Sequence, residues 1–430
     1  MHVSLDDDLD CPATIEVDPP AGNRPLTPRQ EVRRRIRILV SAGLYGTGGA
    51  EYSCLDFLDS IELKDRGWRT GLVRPGWSPT GPLLARVRSG TFPVFRGLDC
   101  IPRSGAVLTA WIHALVAHQP RAVIFWDEPP PSRIVRLVRS VVPRAKLIHF
   151  EHGRSWRRTG DEGTIREFVA LDAVLSNSNA SSIPLKKRFG IAVDAILPNP
   201  LPPAIAHSPR KSQTKHHSGP FRIGFAGRLV PGKGADAAVQ ALAQLSAWRS
   251  DVELSIAGDG PARSSLEHLA TEAGVMEKCR FAGHVQSMPD WYRSCDIVLV
   301  PSIHEAFGLV SIEAQAMGVP VIVAAVDGLP ETIRPGITGL SLEPTQEIPP
   351  AEVSRWGPER LPEFVIDAEE GCLAPPRRID PRQLALAIGQ LLDDPQRLAI
   401  MGHEASAWAR DTFSWESYAG RFDAALHAII

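Results

Sequence analysis

The chain has 430 residues, 43% of them hydrophobic and 22% charged, and a formal net charge of -2. That length suits two ordinary domains, each able to bury its own core, and the composition is that of a globular protein. The charge excludes nucleic acid as the main partner, because neutralising phosphates needs a concentrated excess of Lys and Arg.

Residues 1–32 carry an acidic cluster and prolines at 12, 19, 20, 25 and 28, so a disordered tail is expected there. The opening Met1-His2-Val3-Ser4-Leu5-Asp6-Asp7-Asp8 is acidic where a signal peptide is basic, and no apolar run approaches the ~20 residues of a membrane span. Six cysteines, Cys11, Cys54, Cys100, Cys279, Cys295 and Cys372, form no Cys-x-x-Cys pair. A reduced, cytoplasmic protein is expected.

A first domain is read over 33–202. Ile36-Arg37-Ile38-Leu39-Val40 is a buried strand, followed by Gly46-Thr47-Gly48-Gly49-Ala50-Glu51 and a helix through Leu55, Phe57 and Leu58. Strand, glycine-rich turn and helix make a phosphate cradle. A dinucleotide fingerprint would need its third glycine where Glu51 stands, which argues against a dehydrogenase. Strands at Ala122–Trp126, Lys146–Phe150 and Ala173–Ser176, with a helix over Ser132–Val142, continue the alternation of an open parallel sheet.

In that helix Arg133, Arg136 and Arg139 recur every three residues, which reads as a solvated face. A second account is a face for anionic lipid, with Lys186, Lys187 and Arg188 as another cluster. Asp127 and Glu128 follow the strand Ala122–Trp126 and reach toward the cleft as acceptor-side candidates. Glu151 is read as a buried partner for Arg154 or Arg157, and His152, before Gly153, as a candidate at a strand end.

Residues 203–220 are polar and aperiodic, an interdomain linker. The second domain, 221–412, opens with Phe221–Ala226 as a strand and repeats the rhythm at Val252–Ala257 and Arg280–Val285, giving a second Rossmann-like sheet. After its first strand, Arg228 and Lys233 flank a glycine turn and could offset a diphosphate without a metal. Residues 345–378, rich in prolines, read as an insertion in which Phe364–Ile366 adds an edge strand; 413–430 form a last helix.

Between the apolar runs Asp296–Val300 and Val319–Ala325 lies Pro301-Ser302-Ile303-His304-Glu305-Ala306-Phe307-Gly308-Leu309-Val310-Ser311-Ile312-Glu313. A helix starting near Gly308 leaves the N–H groups of Gly308, Leu309 and Val310 facing the crevice, a place for an anion. Glu305 and Glu313 then face one ligand from two sides. Taken singly, Glu305 could merely complement the helix dipole and Glu313 pair with an arginine.

The Glu, seven residues, Glu pattern in this setting resembles the retaining GT-B glycosyltransferases, in particular glycosyltransferase family 4, the glycosyl transferases group 1. The spacing of Arg228 and Lys233 and the Gly48-Gly49-Ala50-Glu51 run are similar to that family's. The resemblance implies the GT-B fold, an α/β architecture of two Rossmann-like domains with parallel sheets facing a central cleft, and a last helix crossing back to the first domain. It implies a sugar moved with retention from an NDP-sugar, UDP by default and GDP next, to a hydroxyl of a glycan or lipid-linked acceptor. A role in bacterial surface polysaccharide or lipopolysaccharide synthesis follows by a weaker analogy through His149–Trp156.

The catalytic set implied is Glu305, His152, Arg228 and Lys233. The donor set is Gly48, Gly49, Arg228, Lys233, Val285, Glu305, Gly308, Leu309, Val310 and Glu313. Glu313 would hold the ribose, Glu305 the sugar and His152 the sugar from across the cleft. No cofactor and no metal are expected: the Asp-x-Asp metal motif of the other glycosyltransferase fold is matched by Asp6 and Asp8, and again by Asp8 and Asp10, all within the expected tail. Alternatives are an NDP-sugar hydrolase or epimerase, glycosylation of a small metabolite, or a sugar-nucleotide sensor without turnover.

Overall fold

The computed structural model describes residues 36–44, 48–74, 81–96, 103–158, 162–211, 219–349 and 361–430. Arg35–Ile430 form one compact unit, and the expected tail at 1–32 lies outside the described residues. The first sheet contains β1 (Ile36–Ala42), β2 (Trp68–Val73), β3 (Val94–Phe95), β4 (Ala122–Trp126), β5 (Lys146–Glu151), β6 (Ala173–Ser176) and β7 (Ala195–Ile196). Its order is β3-β2-β1-β4-β5-β6-β7, parallel throughout.

The second sheet contains β8 (Phe221–Ala226), β9 (Val252–Ala257), β10 (Cys279–Gly283), β11 (Ile297–Val300), β12 (Val321–Ala324) and β13 (Gly339–Leu342), in the parallel order β10-β9-β8-β11-β12-β13. In both sheets the direction of winding reverses beside the first strand, between β1 and β4 and between β8 and β11. At such a switch point the loops at the carboxyl ends splay apart and leave a crevice. Two Rossmann-like parallel sheets in one chain are the GT-B architecture.

The strands read from sequence include the wholly buried β4, β11 and β12 and also β1, β8 and β10, which are buried only in part. Reading missed β2, β3, β7 and β13: Trp-Arg-Thr-Gly-Leu-Val mixes a glycine and a charge into its run, β3 and β7 have two residues each, and β13 opens on a glycine and is only half-buried after it. Gly71 in β2 sits where a Cβ would come within 3.2 Å of both the His118 and Phe95 rings, so the helix Arg103–His118 can lie close on this sheet.

One face of the first sheet is closed by a helix from the far end of the chain. Trp415–Ile429 places Tyr418, Phe422 and Leu426 in the core with Phe57 and Trp68. The Phe57 and Phe422 rings stand 5.0 Å apart, Trp68 and Phe422 5.7 Å, and Trp68 Nε1 donates to Asp423 Oδ1 at 2.9 Å.

Two sequence expectations are corrected. The segment Val365–Asp367 does not extend the large sheet but pairs antiparallel with Cys372–Ala374, while Gln346–Glu347 pairs with Arg377–Arg378. The first ladder is a local return, and the second ties together the two ends of the 345–378 segment; prolines nearby keep both short. The first half of 203–220 is structured: Pro203–Ala206 is a short helix whose Ile205 enters the second core, and Lys211 Nζ is held by Asp296 Oδ1 at 2.7 Å and the Cys295 carbonyl at 2.6 Å. Among the described residues no helix is long and apolar enough to cross a membrane, and Cys54, Cys279, Cys295 and Cys372 are free thiols.

Candidate donor site between the two sheets

The helix Leu309–Ala316 follows β11 and is capped by Gly308 at φ 113°. A Cβ on Gly308 would lie 2.6 Å from Leu329 Cδ2, so both backbone and space demand glycine. The Ser311 N–H donates to the Gly308 carbonyl at 3.1 Å, while the N–H groups of Leu309 and Val310 precede the first carbonyl that the helix could offer them.

Beside it the loop after β8 is docked onto the loop after β11. The Ile303 N–H donates to the Gly232 carbonyl at 2.9 Å, and a Cβ on Gly234 would strike the Pro301 carbonyl oxygen. This docking brings Lys233 Nζ to 2.6 Å from Glu305 Oε2, with Ser302 Oγ donating to the same oxygen at 3.3 Å. Arg228 is exposed on the same loop.

The second glutamate sits differently. Glu313 Oε2 accepts from Tyr292 Oη at 2.7 Å. Burial raises its pKa to about 7, against the Tyr292 hydrogen bond that lowers it and with Asp56 adding to the rise. Among the described residues, Glu313 is bonded to this phenol and not to the arginine considered for it. Tyr292, from the polar helix Met288–Ser294, gave no periodic signal and was missed.

Asp327 was missed too, and it organises the Glu305 loop. It is buried at φ 48°; Oδ2 accepts from the Glu305 N–H at 2.9 Å and lies 2.7 Å from His304 Nδ1, and Oδ1 accepts from the Ile366 N–H at 2.6 Å. One carboxylate thereby fixes the backbone that presents Glu305. Val285, after β10, is half-buried against the second core.

The first domain supplies the opposite wall. A Cβ on Gly49 would come within 2.8 Å of Leu309 Cδ1, and one on Gly153 within 2.9 Å of Ala306 Cβ. The glycine turn therefore abuts the start of the helix Leu309–Ala316 and the His152 turn abuts the Glu305 loop. Gly48 precedes as the N-cap of Gly49–Asp59, while 45–47 lie outside the described residues.

The His152 ring stacks on Trp126 at 4.4 Å and packs on Phe150 at 4.3 Å. Burial drives its pKa down to about 3, so the imidazole is neutral. Asn177 Nδ2 stands 3.5 Å from Nδ1, an arrangement that suits a proton on Nε2, and among the described residues Nε2 has no partner. A buried, unpartnered donor in a cleft is available to a ligand oxygen.

Glu151 corrects an expectation. Its partners are His149 Nε2 at 3.0 Å and the N–H groups of Gly153 and Ser155 at 2.8 and 2.9 Å, not Arg154 or Arg157. Burial would raise its pKa, but the His149 hydrogen bond and charge and the two N–H groups outweigh it and hold the carboxylate ionised. Arg154 instead pairs with Glu128 and lies 3.9 Å from Asp127 Oδ2. Asp127, at φ 64°, accepts from the His152 N–H at 3.1 Å, and burial followed by the Glu151 charge pushes its pKa up. Asp127 and Glu128 are thus tied to the His152 turn, the first through the His152 N–H and the second through Arg154.

Residues 209–349, which contain β8–β13 and the Lys233–Glu305 pair, match the family model "Glycosyl transferases group 1". The chain carries a glycosyl transferases group 1 region on a GT-B fold. The D-inositol 3-phosphate glycosyltransferase of Thermobispora bispora is 32% identical over 46% of this chain and 40% of its own length. The GDP-mannose-dependent alpha-(1-6)-phosphatidylinositol monomannoside mannosyltransferase of Mycolicibacterium smegmatis is 30% identical over 45% of this chain and 44% of its own. The chain thus spans less than half the length of these curated relatives. A Rickettsia africae glycosyltransferase structure superposes with a TM-score of 0.69, covering 92% of this chain and 99% of that one at 17% identity. At that identity the likeness speaks for the fold alone.

Proposed function

We propose that the chain is a retaining glycosyltransferase that moves a hexose-type sugar from an NDP-sugar to a hydroxyl of a glycan or lipid-linked acceptor, on the cytoplasmic side of the cell membrane. The observation that carries this reading is the Lys233–Glu305 pair, 2.6 Å apart, set beside the Gly308-capped helix and covered by the His152 turn. A diphosphate at that helix start meets N–H donors, Lys233 and Arg228. An ammonium has three protons, so Lys233 can keep Glu305 and take a phosphate oxygen.

In this reading Glu313 accepts from the ribose hydroxyls, displacing the Tyr292 bond or sharing its second oxygen. Glu305 orients the sugar, and His152 Nε2–H donates to a sugar oxygen from the other wall. The acceptor hydroxyl approaches near Asp127 and Glu128, and its proton leaves with the departing diphosphate, whose charge Arg228, Lys233 and the helix N–H groups offset. No metal is assigned a part. UDP and GDP are both admitted: UDP is the default donor base for the family, and the Mycolicibacterium smegmatis relative is GDP-mannose-dependent by name. The names of the relatives put inositol-bearing acceptors first, ahead of polysaccharide or lipopolysaccharide fragments.

The test is a screen of radiolabelled UDP- and GDP-sugars against inositol phosphates, phosphatidylinositols and glycan acceptors. Transfer with the anomeric configuration kept supports the proposal. NDP release at a rate that no acceptor changes would make the protein a hydrolase, and binding without turnover would make it a sensor.

A further inference from the structure

The outer face of the first domain carries a feature that the donor site does not use. On the helix Arg103–His118, Ala110, Trp111, Ala114 and Leu115 are buried in the core on the sheet. Leu108, Ile112 and Val116 are 46%, 41% and 56% exposed. Spaced by four, they form one apolar stripe along the helix. His113 meets Phe95 of the edge strand β3 on one flank, at 5.3 Å. At 3.6 residues per turn the stripe falls on the opposite flank, toward the helix Ser132–Val141, which packs alongside.

That second helix buries Ile134 and Val138 and exposes Arg133 and Arg136. Arg139 turns the other way, to Asp172 at 2.8 Å. Arg121 and Arg144, at the lower ends of β4 and β5, are exposed as well. No Asp or Glu occurs from 103 to 126 or from 129 to 150. In a chain with net charge -2, this is a segregated basic and apolar face.

We infer that this face is a docking surface for an anionic lipid bilayer, with Leu108, Ile112 and Val116 entering the headgroup boundary and Arg133 and Arg136 meeting lipid phosphates. A protein partner of ordinary composition would satisfy the apolar stripe but leave the cations without counter-charge; an anionic membrane answers both. The inference stands apart from the proposed reaction, since lipid binding is read without donor or acceptor.

The full chain is sedimented with phosphatidylcholine vesicles with and without phosphatidylglycerol. Binding to the anionic vesicles alone, weakening as salt is raised, is expected. Arg133→Ser/Arg136→Ser should lose on the order of 25-fold in partitioning, about fivefold per arginine. Ile112→Ser/Val116→Ser should lose about tenfold or more. Ile400→Ser, an exposed apolar site in the second domain, serves as a control and should bind as wild type; circular dichroism checks that all variants are folded. No binding to anionic vesicles, equal binding to neutral ones, or undiminished binding by the folded arginine variant would overturn the inference. So would lipid-free self-association that Ile112→Ser/Val116→Ser abolishes, which would make a second copy the occupant.

Discussion

Glu305 and Glu313 stand eight residues apart, yet the molecule gives them opposite electrostatic settings. Glu305 faces an ammonium; Glu313 faces a phenol that can only donate one proton. Replacing Glu313 by Ala should cut NDP affinity about tenfold or more, since charge-assisted hydrogen bonds contribute ~1.5–3 kcal/mol each. Glu305→Ala should leave NDP affinity nearly unchanged while turnover falls, as for a contact made in the transition state. Calorimetric titration of both variants, beside their turnover numbers, separates the roles; equal losses of NDP affinity would reverse the assignment.

The raised pKa of Glu313 adds a pH dependence. Ribose hydroxyls donate to the ionised form, so NDP affinity should rise as pH passes upward through about 7, with a proton released on binding near that pH. Calorimetry in buffers of different ionisation enthalpy reads the released proton. For folding the sign is reversed. The native group holds its proton over a range where the unfolded one has lost it, so its contribution to stability falls as pH climbs from the ordinary glutamate value of 4.5 through about 7. Glu313→Gln should flatten that decline in thermal melts.

At the scale of elements, the start of the helix Leu309–Ala316 depends on one backbone conformation. Gly308→Ala puts a Cβ at φ 113° and against Leu329, so a loss of about 1–3 kcal/mol in stability and weaker NDP binding are expected. Denaturant melts and NDP titration measure the two. This element was readable in advance because its signals are local: a β-branched strand, a glycine and a buried helical run. Tyr292, Asp327 and the His149–Glu151 pair were not, since each acts on a neighbour that folding, rather than spacing, supplies. Tyr292 is 21 residues from Glu313 and on a helix that is mostly polar. Asp327 reaches back 22 residues to the Glu305 N–H from a positive-φ turn that a lone aspartate does not announce. Glu151 misled because Arg154 and Arg157 carry the full charges that a charge-counting view looks for, while His149 lies two residues away on the same face of β5.

Across the whole molecule, the domains are clasped beyond the candidate site. The Glu331 carboxylate accepts from the N–H groups of Asn179 and Ala180 and from Asn179 Nδ2, at 2.8–3.0 Å, and so caps a first-domain helix from the second domain. Ser178 Oγ donates to the Ala306 carbonyl at 2.6 Å beside it. Glu331→Ala should therefore favour an open form. Small-angle scattering should give a larger radius of gyration, and KM for donor should rise; an unchanged radius would show that the clasp does not set the domain angle. Chelation is a test at the same scale. If Arg228, Lys233 and the helix N–H groups suffice for the departing diphosphate, transfer should persist in EDTA, and manganese-restored loss would show otherwise.

The helix Trp415–Ile429 closes the first core about 350 residues after Arg66, which it meets through Glu416. A ribosome delivers that helix only after every strand of the second domain has emerged. Until then Phe57 and Trp68 lack their covering rings, and the first domain waits as an open half. Maturation of the two halves is thus coupled in time. A chain arrested before residue 413 should expose that aromatic patch, bind a dye such as ANS and be retained by chaperones, even though all seven strands of its first sheet have already been made.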